Sequence, residues 1–153
     1  MRKYKRVIFA EGSGITRAPM AAEIFKSICS DDIEVLYRGI LVQFSEPINQ
    51  KAEAVMISNG ITVTDFEAKE LDSSDITGDT IVFTMEEASL KRIIKNIDTA
   101  TEDNTFILTE YVGEELPIMN PFGGTLQTYG ICFEMLKTTL TKLSKMLSEE
   151  DDE

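Results

Sequence analysis

Histidine and tryptophan are absent from this chain, and cysteine and proline are sparse, with two and four residues. Without histidine, the commonest general base and metal ligand is missing, so acid–base or metal chemistry would fall to carboxylates. No aspartate cluster has calcium-loop spacing, so neither a metal nor another cofactor is expected. Cys29 and Cys132 both lie in helical patterns, which indicates no disulfide framework and reads as two buried free thiols of a cytoplasmic protein. Positive charge is also short: 15 Lys and Arg against 27 Asp and Glu give a net charge of −12. That balance argues against nucleic acid or an anionic membrane as partner and suits a basic protein surface. No apolar run approaches the roughly 20 residues of a membrane span. The basic start, Met1 to Arg6, leads into a short apolar strand with no small-residue cleavage site, unlike a signal peptide.

What remains is an ordinary globular composition, 42% hydrophobic and 27% charged over 153 residues, enough for one domain with its own core. The patterning places that domain at 1–147, with an acidic tail at 148–153 that reads as frayed and solvated. Short apolar runs at 7–10, 33–37, 80–84 and 105–108 read as strands. Helical patterns lie between them: 19–29, a stretch opened by Pro47 with Ile48, Ala52, Val55 and Met56 on one face, and 85–97 with Leu90, Ile93, Ile94 and Ile97 inward. Residues 65–71 read as an irregular or helical turn. The last helix, 125–147, repeats Tyr129, Cys132, Phe133, Leu136, Leu140, Leu143 and Leu147 at three- and four-residue steps. Strands alternating with helices imply an α/β fold, a four-stranded parallel sheet with helices on both faces. Right-handed crossovers put the loop after the first strand at the carboxyl edge, where open sheets bind ligands.

That loop is Glu11-Gly12-Ser13-Gly14-Ile15-Thr16-Arg17, between an apolar strand and a helix that Pro19 is expected to open. A glycine turn feeding a helix N-terminus gathers backbone N–H groups and positive dipole, and Arg17 can add a planar fork for oxyanions. The stretch is an anion cradle on chemistry alone.

Here the chain resembles the low-molecular-weight protein tyrosine phosphatases, whose loop runs Cys, five residues, Arg, Ser, Pro after a hydrophobic strand. Arg17, Pro19, Met20 and Ala21 match; the position of the nucleophilic cysteine holds Glu11. Arg38-Gly39, Glu46-Pro47-Ile48-Asn49, Val82-Phe83-Thr84-Met85 and Asn120-Pro121-Phe122-Gly123-Gly124 are similar to later family segments. The last of these corresponds to the family's Asp-Pro-aromatic-Gly loop, whose aspartate protonates the leaving group. Asn120 stands in its place and has no proton to give at useful cost. The resemblance further implies that Gly14 replaces the asparagine propping the loop and Ala18 the hydroxyl supporting the thiolate. Tyr37 and Phe66 fall at a serine and a histidine.

Nucleophile, acid and thiolate support are therefore all replaced, and only Arg17 remains of the reacting set. The expectation is a pseudophosphatase: a binding or regulatory protein on a phosphatase fold. A phosphate dianion about 4 Å from the Glu11 carboxylate would be repelled by roughly 4 kcal/mol per pair of unit charges at an effective dielectric near 20. Glu11 is accordingly expected to occupy the anion site itself, paired with Arg17 and capped by the amides of Gly12 to Thr16. Two other readings stay open: a hydrolase using Glu11 as nucleophile or base, and an anion sensor without chemistry. Blander placements also stay open: Glu11 at the solvent rim, Arg17 on the surface, Asn120 as a turn residue, Tyr129 and Phe133 as core packing. Ser13, Thr16 and Ser45 have no histidine or evident lysine base beside them.

Overall fold

The computed structural model describes residues 3–151. Four strands, β1 (Arg6–Ala10), β2 (Glu34–Arg38), β3 (Thr80–Thr84) and β4 (Thr105–Ile107), form one sheet in the order β2-β1-β3-β4. Every pairing is parallel, with Phe9 opposite both Tyr37 and Phe83. The α/β expectation holds, with helices on both faces.

The central strands are buried on both sides, which is why they read as continuous apolar runs rather than alternating ones. Along β1, Val7 and Phe9 join one core with α1 (Arg17–Ile28), α2 (Gln50–Ser58) and α5 (Leu126–Asp151). Ile8 and Ala10 join a smaller core beneath α3 (Glu87–Asn96) with Leu71, Ile76, Val82 and Ile93. In the larger core Phe9 meets Phe25 edge-on at 5.7 Å and stacks with Phe83 at 5.9 Å. All seven residues read from the spacing of the last helix are buried. Cys132 is buried and Cys29 half-buried, and neither is in a disulfide. Among the described residues no helix is long and apolar enough to cross a membrane.

Several local readings are corrected. α1 starts at Arg17, so Pro19 is its third residue rather than its first; all first-turn N–H groups lack intrahelical acceptors, so proline is tolerated there too. α2 starts at Gln50 rather than Pro47, because the Asn49 side chain accepts from the Lys51 and Ala52 amides and sets the cap. Residues 65–71 follow the irregular rather than the helical alternative: Glu70 forms a parallel bridge with Gly39, fixed by Gly39 N–H to Lys69 O and Leu71 N–H to Gly39 O. Of the four α3 residues expected inward only Ile93 is buried, and Leu90 and Ile94 instead line a 600 Å³ recess with Phe106, Ile107 and Tyr111. A short helix, α4 (Leu108–Tyr111), follows β4 where a longer strand and a loop were expected. α5 runs through the acidic segment to Asp151, held by Tyr111 O–H donating to Glu150 and the Lys3 amide donating to Asp151. Only 152 and 153 of the expected tail lie outside the described residues.

β1 leads by way of α1 to β2 on one side, and β2 leads by way of α2 to β3 on the other. The loops leaving β1 and β3 therefore diverge at the sheet's carboxyl edge, which opens a crevice between them.

Candidate functional site

Three segments meet at that crevice: the loop after β1, the turn from β3 into α3, and the loop before α5. Together with Ile40 and Leu41 beyond β2, they enclose a cavity of 460 Å³. Its lining includes Glu11, Gly12 and Arg17 from the first segment, Glu86, Ser89 and Arg92 from the second, and Asn120 from the third. Glu11, Arg17 and Asn120, far apart in sequence, are thus brought to one cavity. Ser13, Gly14, Ile15 and Thr16 shape the loop but do not line it.

The loop is built by its glycines and by contact with β2. Gly12 and Gly14 both have positive φ, +37° and +75°. A Cβ on Gly14 would sit 2.7 Å from Gly39 N, so this turn closes against the neighbouring strand at a distance only glycine allows. Glu11 N–H donates to Arg38 O, Gly14 N–H to Glu11 O, and Ile40 N–H to Gly12 O. Among the described residues, the amides of Gly12, Ser13, Ile15 and Thr16 have no acceptor.

Glu11 is buried, at 7% exposure, and its Oε1 accepts the Ala18 N–H at 3.1 Å. It does not lie at the solvent rim, the alternative placement, and its cap is the Ala18 N–H rather than the expected amides of Gly12 to Thr16. Thr16 precedes α1 without a side-chain cap, and the first turn holds no acidic residue. The Glu11 carboxylate fills that role from seven positions upstream, at the positive end of the helix dipole. No described residue donates to Oε2, and that oxygen is not enclosed.

Arg17 is 2% exposed, so it is not a surface residue either. Its partner is not the expected one. Nη2 donates to Glu86 Oε1 at 3.1 Å and Nη1 to Ile118 O at 3.0 Å, while Nε is fully enclosed and without an acceptor. The ion pair forms with Glu86, while the Glu11 carboxylate caps the helix terminus. Glu86 and Arg92 were not singled out in the sequence. The signal for Glu86 was its place two residues past the third core strand, at the carboxyl edge where ligands bind.

Asn120 Oδ1 accepts the Phe122 N–H at 3.2 Å, the geometry of a turn residue before Pro121. Tyr37 and Phe66 stack with centroids 5.2 Å apart and planes 7° from parallel, so an aromatic pair occupies the two positions where the resemblance implies serine and histidine. Tyr129 and Phe133 are core residues, the Tyr129 hydroxyl accepting from Asn49 Nδ2. Cys132 lies near enough to Arg17 and Glu11 to feel both charges, but burial dominates and pushes its thiol up to about 11. It donates weakly to Met119 O, and a buried, protonated thiol is a poor nucleophile. Among the described residues, no three His, Cys, Asp or Glu side chains converge closely enough to hold a metal ion.

A strand, a glycine turn and an arginine at a helix N-terminus meet the loop before α5 at the carboxyl edge of a four-stranded parallel sheet. The chain belongs to the low molecular weight phosphotyrosine protein phosphatase family, which it matches over residues 6–153. It is 26% identical over 138 residues to the low molecular weight protein-tyrosine-phosphatase PtpB of Staphylococcus haemolyticus, covering 90% of this chain and 96% of that protein. It is also 26% identical over 146 residues to a protein-arginine-phosphatase of Geobacillus stearothermophilus, covering 95% and 97%. The solved YwlE arginine phosphatase from Geobacillus stearothermophilus superposes with a TM-score of 0.86 over 95% of this chain and 94% of that one, at 26% identity. A low molecular weight protein tyrosine phosphatase from T. tengcongensis superposes with a TM-score of 0.85 over 92% and 98%, at 27% identity.

Proposed function

We propose that this protein is a catalytically silent member of its family that acts by binding, as a regulatory or scaffolding partner. The observation that carries the reading is the Glu11 carboxylate at the nucleophile position, buried and hydrogen-bonded to the helix terminus through Ala18 N–H. A thiolate there would attack phosphorus; a carboxylate held there repels the incoming phosphoryl oxygens. Leaving-group protonation has no donor either, because Asn120 is an amide that already serves its own turn.

A hydrolase running through Glu11 would need to free Oε1 from Ala18, carry the acyl-phosphate without a metal, and find an acid. Ser89, Arg92 and Asn120 have no proton to give an aryl leaving group at useful cost, and Glu86, the other carboxyl in the lining, is engaged by Arg17. The relatives' names record phosphatase activity toward phosphotyrosine or phosphoarginine; for this chain the retained part of that chemistry is the shaped recess.

The test is turnover of p-nitrophenyl phosphate by metal-free protein, repeated with magnesium, beside a thermal-shift titration with inorganic phosphate. No turnover and no phosphate-induced stabilisation are expected. Steady hydrolysis that survives further purification and disappears in Glu11→Gln would establish the hydrolase instead.

A further inference from the structure

Between α5 and the loop 114–118 lies a groove of 650 Å³, separate from the crevice. Leu116 from the loop and Ile131 from the helix stand 75% and 51% exposed beside it, and Ile118 and Met135 continue its apolar lining. On the α5 side, Gln127, Gly130, Ile131, Glu134, Met135 and Thr138 form one stripe at helical spacing. Gly130 is the member of that stripe for which the fold has no use. It lies within α5, where glycine is a poor helix former; its φ is not positive, and a Cβ there would meet no atom within 4 Å. Alanine would serve an isolated molecule better. A missing side chain on an open helix face lets a second backbone approach closely.

We propose that this groove docks an amphipathic helix of a partner protein, its apolar face on Leu116, Ile131 and Met135 and its flanks basic. An apolar groove beside a helix stripe takes such a segment through anchors at three- and four-residue steps, and Gly130 marks the point of closest approach. Charge sets the sign of the partner. Glu114 and Glu134 are the charged residues of the lining, and Glu115 stands exposed next to it. Glu114 has Lys142 at 3.8 Å, and Lys137 is exposed on the next turn of α5, so three carboxylates face two lysines. The whole chain, at −12, attracts a basic partner and repels a second copy of itself. The groove also reaches the crevice through one residue: Ile118 lines it, while the Ile118 carbonyl accepts Arg17 Nη1 at 3.0 Å. The loop beneath a docked helix is therefore the loop that holds Arg17. The inference goes beyond the preceding reading and stands whether or not the crevice is silent.

The experiment is fluorescence anisotropy of a labelled model helix of about 18 residues, leucine on one face and lysine on the other. A leucine–glutamate helix of the same pattern and a scrambled leucine–lysine sequence are the controls. Wild type should bind the leucine–lysine helix at least about tenfold more tightly than either control. Gly130→Leu fills the point of approach and Glu134→Lys reverses the charge beside it; each should weaken binding about tenfold or more. Glu149→Lys makes the same charge change on an exposed position of the same helix, roughly 22 Å away and beyond the screening length. It should leave the affinity within about twofold. Gly130→Leu should unfold at or above the wild-type temperature, since leucine is the better helix former and its Cβ meets no neighbour. No binding by wild type, unchanged affinity in Gly130→Leu, or an equal loss in Glu149→Lys overturns the docking groove. A wild-type dimer in sedimentation that Gly130→Leu dissociates also overturns it, because the face then belongs to a second copy.

Discussion

Glu11 and Ala18, seven residues apart, are joined across the loop by a hydrogen bond of 3.1 Å from the Ala18 N–H to the Glu11 carboxylate. The bond closes the turn between β1 and α1 from the inside. It supplies the cap that Thr16 does not and places a buried negative charge where the helix dipole is most positive. Glu11 is thereby a structural element of the fold.

Removing this carboxylate should therefore cost stability. Glu11→Ala loses a helix cap and is expected to destabilise the protein by about 1 kcal/mol, or about 3 °C in Tm for a domain of this size. Under the proposed function the same variant also removes the repulsion expected between the carboxylate and an incoming oxyanion. Millimolar phosphate should raise the Tm of the variant and leave wild type unmoved, which calorimetry with and without phosphate would read directly.

The Arg17–Glu86 pair should behave asymmetrically. The Arg17 side chain is 2% exposed and that of Glu86 is 45% exposed. Glu86→Ala leaves an enclosed guanidinium with Ile118 O as its remaining hydrogen-bond acceptor, a loss expected at about 2 kcal/mol. Glu86→Gln retains the acceptor and should cost about half as much. Urea midpoints measured at low and high salt would separate this from an exposed ion pair, because screening scarcely reaches the buried partner.

Alkaline pH should destabilise the fold through groups whose protonated forms are held inside. Burial pushes the Cys132 thiol from 9.0 to about 11. Tyr111 is raised above 10.0 by burial, then by donating to Glu150 and by that carboxylate's charge. For each group the unfolded chain releases its proton first, so the unfolded state binds fewer protons and stability falls as pH rises. The Cys132 contribution is intact below pH 9 and is lost by about pH 11, roughly 3 kcal/mol in all. Urea unfolding across this window should show the decline, and Cys132→Ala should flatten the part between pH 9 and 11.

Much of the architecture was legible because it depends on repeated burial. The runs of β1 and β3 and the seven-residue stripe of α5 each contain enough apolar positions for their period to be unmistakable. Boundaries were less legible, since a single side chain sets them: Asn49 moves the start of α2 and Glu11 the start of α1. The site was half legible. Loop chemistry pointed to Arg17 and the family resemblance to Glu11 and Asn120, and all three line one cavity. Which carboxylate pairs with Arg17 was not, because Glu86 lies 69 residues from it and only the β1–β3 pairing brings them together.

Restoring the family's reacting groups should not restore its rate. Glu11→Cys with Asn120→Asp supplies a thiol and an acid, and the thiol would benefit from the helix terminus at Ala18. The double variant still has no side chain at Gly14 and no hydroxyl at Ala18 to orient the loop. Its turnover of p-nitrophenyl phosphate is expected to stay at least about 10²-fold below that of the Staphylococcus haemolyticus tyrosine phosphatase. Adding Gly14→Asn should make matters worse. The new Cβ would lie 2.7 Å from Gly39 N and 2.9 Å from Arg38 C, and backbone cannot yield as a flexible side chain does. A loss of about 2 kcal/mol or more is expected, with little gain in rate. A triple variant with wild-type urea stability and higher turnover than the double would show that the loop and β2 can separate, and would refute the close Gly14–Gly39 contact as the barrier.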